Sequence, residues 1–286
     1  MKVDKIAVIG AGIMGSGIAQ VACLGGFQTV LQDLSENVLK EAVASIQNNF
    51  DKAVQKKLIT RIQEQSANNR LCIETKLDNA VKDADLIIEA IPENIELKID
   101  LFSKIDKLCK TTTVFASNTS SLSITEMAAD TERPAQIIGM HFFNPVHKMK
   151  LVEIVKGLET SEETIQCVIE VATTMGKETV TIKESPGFIT SRINALIGNE
   201  AFYMLQEGIA SAEDIDKALK LGLNHPMGPF EMVDLVGLDT RLSILKFLHQ
   251  TLGEKYRPCP LLVQYVKAGR LGRKTGKGIY NYAEKK

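Results

Sequence analysis

Three features that define specialised protein classes are missing from this 286-residue sequence. Its five cysteines are scattered and form no C-x-x-C motif, which argues against a disulfide framework or a thiolate zinc site and favours a reducing compartment. The 34 basic and 35 acidic side chains give a net charge of −1, so the basic excess of a dedicated nucleic-acid-binding protein is absent. The four histidines form no H-x-H or H-x-x-x-H pair, and we therefore expect no metal site.

A hydrophobic run long enough to form a membrane span is also lacking. Residues 6–29 carry no charge and follow two lysines, as a signal peptide would, but glycines interrupt this segment repeatedly. Because glycine is a poor residue for a continuous helix, we interpret the segment as part of a folded domain. No later run is long enough to cross a bilayer. We expect a cytoplasmic protein without a membrane segment.

The sequence does have the composition of a globular protein and the length of two domains. Its 44% hydrophobic and 24% charged residues are close to the globular averages of ~45–50% and ~25%. Alternating strand and helix patterns over residues 1–184 predict a doubly wound, mostly parallel α/β sheet. Residues 36–66 are too long for an ordinary crossover and predict a protruding helix pair. Residues 185–286 predict an all-helical domain that also forms a dimer interface.

Individual elements follow from hydrophobic periodicity and from capping residues. The predicted strands cover residues 5–9, 29–32, 86–89, 113–116, 137–140, 151–155 and 178–182. The predicted helices cover residues 13–24, 161–175, 189–205 and 230–252, with a further helix that begins after Ser211.

A G-x-G-x-x-G motif spans residues 10–15, directly after the first strand and at the start of a helix. Its glycines permit a tight turn, close approach of a pyrophosphate and close packing of helix against strand. Asp33 follows Gly12 at the end of the second strand, where its carboxylate would accept hydrogen bonds from ribose hydroxyls and repel a 2′-phosphate. This favours NAD over NADP, although FAD uses a similar motif. The predicted cofactor-binding residues here are Gly10, Gly12, Ile13, Met14, Gly15 and Asp33.

His141 is the strongest candidate for a proton carrier, because it follows a predicted strand at the edge where ligands gather. Glu153, in the next strand, is close enough along the chain to orient the imidazole and stabilise its protonated form. A strand-end histidine bonded to the backbone remains the alternative. His147, His225 and His249 are weaker candidates, in a solvated loop, a loop before proline and an amphipathic helix.

The polar run Ser117-Asn-Thr-Ser-Ser121 follows another predicted strand at the same edge. It can be a simple turn before a helix, in which Ser123 and Glu126 form a capping box. Alternatively, its hydroxyl and amide groups bind a substrate carbonyl beside the nicotinamide. The absence of a G-x-S-x-G motif argues against a nucleophilic serine.

Several motifs, in order and spacing along almost the whole chain, together resemble the L-3-hydroxyacyl-CoA dehydrogenase family, and most closely its short-chain 3-hydroxybutyryl-CoA dehydrogenases. They are Ile9-Gly-Ala-Gly-Ile-Met-Gly-Ser-Gly17, Ser117-Asn-Thr-Ser-Ser121, His141-Phe-Phe-Asn-Pro145, Lys150-Leu-Val-Glu153, Pro186-Gly-Phe188, Asn224-His-Pro-Met-Gly-Pro229 and Gly272-Arg-Lys-Thr-Gly-Lys-Gly278. The resemblance implies a Rossmann-like NAD-binding domain and a helical domain that dimerises and closes over an acyl-CoA.

The resemblance also implies roles for individual residues. His141 becomes the general base, Glu153 its orienting carboxylate, and Ser120 a ligand of the substrate oxygen. Asn49 and Lys56 match the part of the helical protrusion that touches CoA. The positions that match NAD contacts are Asp33, Glu93, Lys98, Ser120, Asn144 and Lys274.

Two segments depart from the family pattern. Ser191 stands where the family has an asparagine that holds the substrate carbonyl, and Asn194, three residues later on roughly the same helical face, is a candidate replacement. His147 and Lys148 stand in a stretch that is commonly apolar.

The resemblance implies a reversible NAD-dependent dehydrogenase of (S)-3-hydroxyacyl-CoA, most specifically of the four-carbon substrate, in fatty acid or butyrate metabolism. The alternatives are a dehydrogenase of another 3-hydroxy or sugar acid and a non-catalytic NAD-binding protein on the same fold.

Overall fold

The computed structural model describes residues 1–282, and the chain divides into two compact units, Met1–Ser185 and Pro186–Lys286. This division lies beside the boundary predicted between residues 184 and 185. Within the described residues, no helix is both long and apolar enough to span a membrane.

The first unit is built on an eight-stranded sheet in the order β3-β2-β1-β4-β5-β6-β7-β8. Its strands are β1 (Lys5–Ile9), β2 (Gln28–Gln32), β3 (Leu71–Glu74), β4 (Leu86–Glu89), β5 (Val114–Ser117), β6 (Ile137–Phe142), β7 (Leu151–Lys156) and β8 (Glu178–Lys183). Every neighbouring pair is parallel except β6 and β7. The order reverses at β1, which pairs with both β2 and β4. The predicted doubly wound, mostly parallel sheet is confirmed.

Seven helices connect these strands within the first unit. They are α1 (Ile13–Leu24), α2 (Glu36–Gln55), α3 (Arg61–Asn68), α4 (Leu77–Val81), α5 (Ile95–Asp106), α6 (Ile124–Ala129) and α7 (Glu162–Thr174). The main core lies between the sheet and these helices, where Ile6, Leu86 and Ile138 are fully buried.

Two strand predictions differ from the structure at the carboxyl ends of β5 and β6. The strand predicted to end at residue 140 continues to Phe142, because its backbone keeps pairing with β7 as far as Val152. His141 therefore lies inside β6 and not beyond it. The strand predicted over residues 113–116 covers Val114–Ser117, so Ser117 belongs to β5 and is buried.

The turn between β1 and α1 depends on two glycines. Gly10 has a φ of +97°, a conformation that L side chains rarely adopt. A Cβ on Gly15 would lie 1.7 Å from the carbonyl oxygen of Gly10. The first turn of α1 therefore packs directly on the loop that leaves β1, as the motif predicts.

Helices α2 and α3 occupy most of the segment predicted as a protruding helix pair. Ser35 caps α2 by accepting a hydrogen bond from the backbone N–H of Val38. One face of α2 is buried through Leu39, Ile46 and Phe50, spaced as an amphipathic helix requires. The rest of α2 is largely polar.

The second unit is helical and has its own core. Its helices are α8 (Thr190–Gln206), α9 (Ala212–Gly222), α10 (Pro229–Val236), α11 (Leu238–Leu252) and α12 (Pro260–Lys267). The helix predicted over residues 230–252 is interrupted at Gly237, whose φ of +106° ends α10 before α11 begins. Phe202, Phe230 and Leu245 are fully buried in this core. Asp234 fixes the last described segment by accepting hydrogen bonds from the backbone N–H groups of Ile279 and Tyr280.

Candidate active site

A cavity of 360 Å³ opens at the carboxyl ends of β4, β5 and β6. The carboxyl ends of parallel strands meet at one edge of a doubly wound sheet, and ligands bind there beside the strand where the order reverses. The lining residues are Met14, Ala90, Ile91, Glu93, Lys98, Asn118, Ser120, His141, Phe142, Phe143 and Asn144. Five predicted cofactor ligands thus line the cavity of the predicted general base: Met14, Glu93, Lys98, Ser120 and Asn144.

A second cavity of 750 Å³ continues from the first and shares Met14, Ala90 and Ile91 with it. Its wall includes the predicted cofactor residues Gly10, Gly12, Ile13, Met14 and Asp33. Two cavities that meet at the glycine loop suit a ligand with two halves joined by a pyrophosphate.

The start of α1 fits a pyrophosphate. Its N-cap is Gly12, which offers no side-chain hydrogen bond, and the first turn contains no acidic residue. A Cβ on Gly12 would meet no protein atom within 4 Å. The backbone N–H groups therefore remain available for an anion at the positive end of the helix.

The Asp33 carboxylate is held in place by backbone hydrogen bonds on both oxygens. Its Oδ2 accepts from the N–H of Ala11 at 2.9 Å, and its Oδ1 accepts from the N–H of Ser35 at 3.0 Å. A carboxylate has about four acceptor positions, so two remain for ribose hydroxyls. The carboxylate lies at the wall of the larger cavity, which is where the prediction requires it.

His141 and Glu153 are direct cross-strand partners in the antiparallel pair of β6 and β7. The Nδ1 atom of His141 lies 2.7 Å from Oε2 of Glu153. Glu153 is completely buried, whereas His141 is 7% exposed and lines the cavity. The Phe143 ring packs against the imidazole at 4.5 Å between centroids. This arrangement leaves Nε2 of His141 as the ring nitrogen opposite the carboxylate contact.

Ser120 is held against Glu93 at the edge of the same cavity. Oε1 of Glu93 accepts hydrogen bonds from the backbone N–H of Ser120 at 2.9 Å and from its hydroxyl at 3.2 Å. It also accepts from the Thr119 hydroxyl at 2.6 Å, while Oε2 lies 3.2 Å from Nζ of Lys98. Burial acts to raise the pKa of Glu93, but the Lys98 charge and these hydrogen bonds outweigh it and lower that pKa.

The sequence predictions miss Glu89, the last residue of β4. Glu89 is completely buried and accepts hydrogen bonds from Nζ of Lys98 at 2.7 Å and from the Ser117 hydroxyl at 2.5 Å. Burial raises its pKa against the opposing effect of Lys98. The sequence feature that could have indicated a site role for Glu89 is a charged residue at the end of an apolar strand.

The two residues matched to CoA contacts lie apart from this cavity on α2. Asn49 lines a separate cleft of 330 Å³ together with Gly12, Asn144 and His147, and its amide donates to Oε1 of Gln20 at 3.0 Å. Lys56 is the exposed C-cap of α2 and does not line that cleft. Burial and the nearby lysines 148 and 177 lower the pKa of His147.

Three further predicted site residues belong to the second unit. Ser191 and Asn194 lie in the first turns of α8, three residues apart and half-buried. Lys274 is exposed, and its ammonium pairs with the Asp239 carboxylate at 2.6 Å. Throughout residues 1–282, no three His, Cys, Asp or Glu side chains gather as a metal ion would require.

Comparisons with known proteins agree with this geometry. Family profiles of the 3-hydroxyacyl-CoA dehydrogenase NAD binding domain and C-terminal domain match residues 5–185 and 187–282. The chain is 48% identical to a probable 3-hydroxybutyryl-CoA dehydrogenase of Bacillus subtilis, over 100% of this chain and 99% of the relative. It is 47% identical to the 3-hydroxybutyryl-CoA dehydrogenase of Bradyrhizobium diazoefficiens, over 98% of this chain and 96% of that relative.

A solved structure is similar over the same extent. The crystal structure of (S)-3-hydroxybutyryl-CoA dehydrogenase from Ralstonia eutropha has a TM-score of 0.96 and 42% identity, covering 99% of this chain and 100% of that one. The resemblance found in the motifs and the predicted NAD cofactor are both confirmed by these matches. The chain therefore belongs to the 3-hydroxyacyl-CoA dehydrogenase family of NAD-dependent oxidoreductases.

Proposed function

We propose that this protein interconverts (S)-3-hydroxybutyryl-CoA and acetoacetyl-CoA with NAD(H), using His141 as its general acid and base. The observation that carries the proposal is the 2.7 Å contact between His141 and the buried Glu153, in a cavity that Ser120 also lines. The relatives named 3-hydroxybutyryl-CoA dehydrogenase support the four-carbon substrate.

The proposed proton transfer uses Nε2 of His141, the ring nitrogen opposite the contact to Glu153. In the oxidation direction, His141 accepts the proton of the substrate hydroxyl, and the carboxylate of Glu153 stabilises the imidazolium that results. In the reduction direction, the protonated imidazole donates to the oxygen of the keto group. When bound, the cofactor would supply the hydride chemistry, with NAD⁺ as acceptor in the oxidation direction and NADH as donor in the reduction direction. The Ser120 hydroxyl lies at the same cavity and donates to Glu93 in this structure. When substrate binds, this hydroxyl turns to donate to the reacting oxygen, while the Ser120 N–H keeps its hydrogen bond to Glu93.

The cofactor is assigned to the two connected cavities. The N–H groups at the start of α1 bind its pyrophosphate, and Asp33 binds its adenosine ribose. Glu93, Lys98 and Asn144 surround its nicotinamide end. Lys274 is assigned to the same cofactor on its family match alone.

The CoA moiety is assigned to the face of α2 that carries Asn49 and Lys56. Seven residues separate them, which is about two helical turns, so both lie on one face. CoA phosphates need cationic partners, and the exposed ammonium of Lys56 can supply one. Lys56→Glu should raise the KM for acetoacetyl-CoA without changing kcat. Lys107→Glu, at the exposed C-cap of α5, is the matched control.

The substrate oxygen also needs a ligand from α8 in this proposal. Ser191 carries a shorter side chain than the asparagine of the family, and Asn194 is the second candidate on that helix. A dehydrogenase of another 3-hydroxy or sugar acid would not need the α2 contacts to CoA. A non-catalytic NAD-binding protein would not need the contact between His141 and Glu153.

A steady-state assay of NADH oxidation tests the proposal and separates these alternatives. We expect turnover with acetoacetyl-CoA and much weaker turnover with free acetoacetate at the same NADH concentration. Equal turnover with both would indicate a substrate other than a CoA ester. Binding of NADH without turnover of either compound would indicate the non-catalytic alternative.

We also propose that the helical unit carries the surface for self-association. Several of its apolar side chains are exposed, among them Ile193, Leu221 and Leu223. These exposed apolar side chains are our candidates for the interaction surface. Light scattering coupled to size-exclusion chromatography should give at least twice the 31.4 kDa chain mass. An Ile193→Glu variant should shift the protein toward the monomer if its α8 face is part of the interface.

A further inference from the structure

A closed ring of polar contacts lies beneath the cavity that contains His141. Glu89 contacts Lys98 at 2.7 Å, and Lys98 contacts Glu93 at 3.2 Å. Glu93 accepts from the Thr119 hydroxyl at 2.6 Å, and the Thr119 N–H donates to the Ser117 hydroxyl at 3.2 Å. Ser117 closes the ring by donating to Glu89 at 2.5 Å. Glu89 thus links Lys98 to Ser117 within the ring.

The members of the ring differ in their access to the cavity. Glu93 and Lys98 line it, whereas Glu89 is completely buried and does not. Lys98 is only 1% exposed, so its ammonium depends on the two carboxylates for compensation. A buried ammonium without a compensating charge would cost several kcal/mol.

The charge balance of the ring gives Glu89 a specific effect. The carboxylates of Glu89 and Glu93 and the ammonium of Lys98 sum to one negative charge. Because Lys98 is shared between Glu89 at 2.7 Å and Glu93 at 3.2 Å, it compensates Glu93 only in part, and net negative charge remains beside the cavity. If Glu89 lost its charge, Lys98 would neutralise Glu93 instead and compete with Ser120 for its carboxylate. The ring would then be neutral.

We propose that Glu89 is a positioning residue of the cofactor site, which neutralises Lys98 so that Glu93 stays bound to Ser120 and keeps its negative charge toward the nicotinamide end. This inference rests on the proposed assignment of the cofactor to the cavity. The nicotinamide ring is cationic in NAD⁺ and neutral in NADH. Glu89 therefore favours the oxidised cofactor without touching it.

Binding measurements without acyl-CoA test this role, with NADH followed by its fluorescence and NAD⁺ by displacement of NADH. In Glu89→Gln, the amide keeps an acceptor for Lys98 and a donor toward Ser117, so mainly the charge changes. We expect the ratio of the NAD⁺ Kd to the NADH Kd to rise about three- to tenfold, as expected for one charge acting over several ångströms in a partly polar site.

The double variant Glu89→Gln/Lys98→Met restores one net negative charge, and its ratio should return toward that of the unmodified protein. Lys98→Met alone removes a positive charge, which leaves the ring with two net negative charges. The ratio of the NAD⁺ Kd to the NADH Kd should therefore fall. This single variant also tests the proposal if Glu89→Gln does not fold. Asp106→Asn is the matched control, since Asp106 is a buried carboxylate paired with Arg133 at the far end of α5. The ratio of the NAD⁺ Kd to the NADH Kd should not change in Asp106→Asn.

The outcomes separate this inference from the proposed function. An unchanged ratio in Glu89→Gln, or a double variant no closer to the unmodified protein than the single variants, overturns the role of Glu89. A loss of stability together with an equal loss of affinity for NAD⁺ and NADH would show that Glu89 has only a structural role. Failure of the unmodified protein to bind NADH would instead refute the cofactor site itself.

Discussion

Replacing Glu153 by glutamine tests the assignment of the proton carrier. The carboxylate is completely buried, and its Oε2 lies 2.7 Å from Nδ1 of His141. Glutamine has nearly the same shape and keeps an oxygen that can accept from the imidazole, so the change removes the negative charge. A hydrogen bond to a charged group contributes ~1.5–3 kcal/mol. Each ~1.4 kcal/mol corresponds to tenfold, so kcat should fall about ten- to 150-fold.

The loss should appear in both directions of the reaction. Reduction of acetoacetyl-CoA starts from the protonated imidazole of His141, and oxidation of 3-hydroxybutyryl-CoA produces it. The buried carboxylate of Glu153 stabilises this imidazolium in either direction, so Glu153→Gln should lower kcat for both.

The assay is kcat in both directions, followed by the absorbance of NADH. His141→Ala sets the scale, with an expected loss of about 10²–10⁴-fold for removal of a general base. The NADH affinity of Glu153→Gln should match that of the unmodified protein, because the carboxylate does not line either cofactor cavity. An unchanged kcat in both directions, or a variant that does not fold, would refute the orienting role of Glu153.

Four other substitutions test three separate parts of the molecule. Asp33→Ala should lower the preference for NADH over NADPH in kcat/KM by about tenfold, because it removes a charge that repels the 2′-phosphate; an unchanged preference would place discrimination elsewhere. Ser191→Asn should raise kcat/KM for acetoacetyl-CoA a few-fold to about tenfold through one added hydrogen bond. If Asn194 already holds the oxygen, that gain should be absent and Asn194→Ala should reduce activity. Arg241 is 2% exposed, its Nε has no hydrogen-bond partner among residues 1–282, and burial lowers its pKa to about 10. Arg241→Met should therefore stabilise the protein by about 1–4 kcal/mol in thermal or urea unfolding, and a loss of stability would contradict this account.

Local signals in the sequence were sufficient for much of the first unit. The glycine motif predicts α1 at Ile13–Leu24, because the requirements for Gly10 and Gly15 arise within one turn of chain. The position of Asp33 follows from the same local βαβ unit. The carboxyl ends of parallel strands were sufficient to predict His141 and the 117–121 run at one edge of the sheet, whereas Glu93, Lys98 and Asn144 followed only from the family resemblance.

Features that depend on tertiary pairing could not be predicted from local patterns. The edge strand β3 has no buried residue, so its hydrophobic pattern is too weak to indicate a strand. The extension of β6 through His141 requires β7 as a partner. The role of Glu89 requires the pairing of β4 with β5, which sets Glu89 opposite Ser117. The break at Gly237 depends on a positive φ that periodicity does not indicate.

The antiparallel register of β6 and β7 makes the contact between His141 and Glu153 independent of the length of the loop that joins these strands. His141 and Glu153 face each other as one rung of a ladder, fixed by the backbone hydrogen bonds of strands that continue on the side away from the loop. Residues 147–150, which are exposed, can therefore be exchanged for those of a relative while the rung persists. Phe143 and Asn144 line the cavity and Val146 is buried, so these three must stay. A designer can then vary the exposed part of the loop separately, because the sheet carries the acid–base pair.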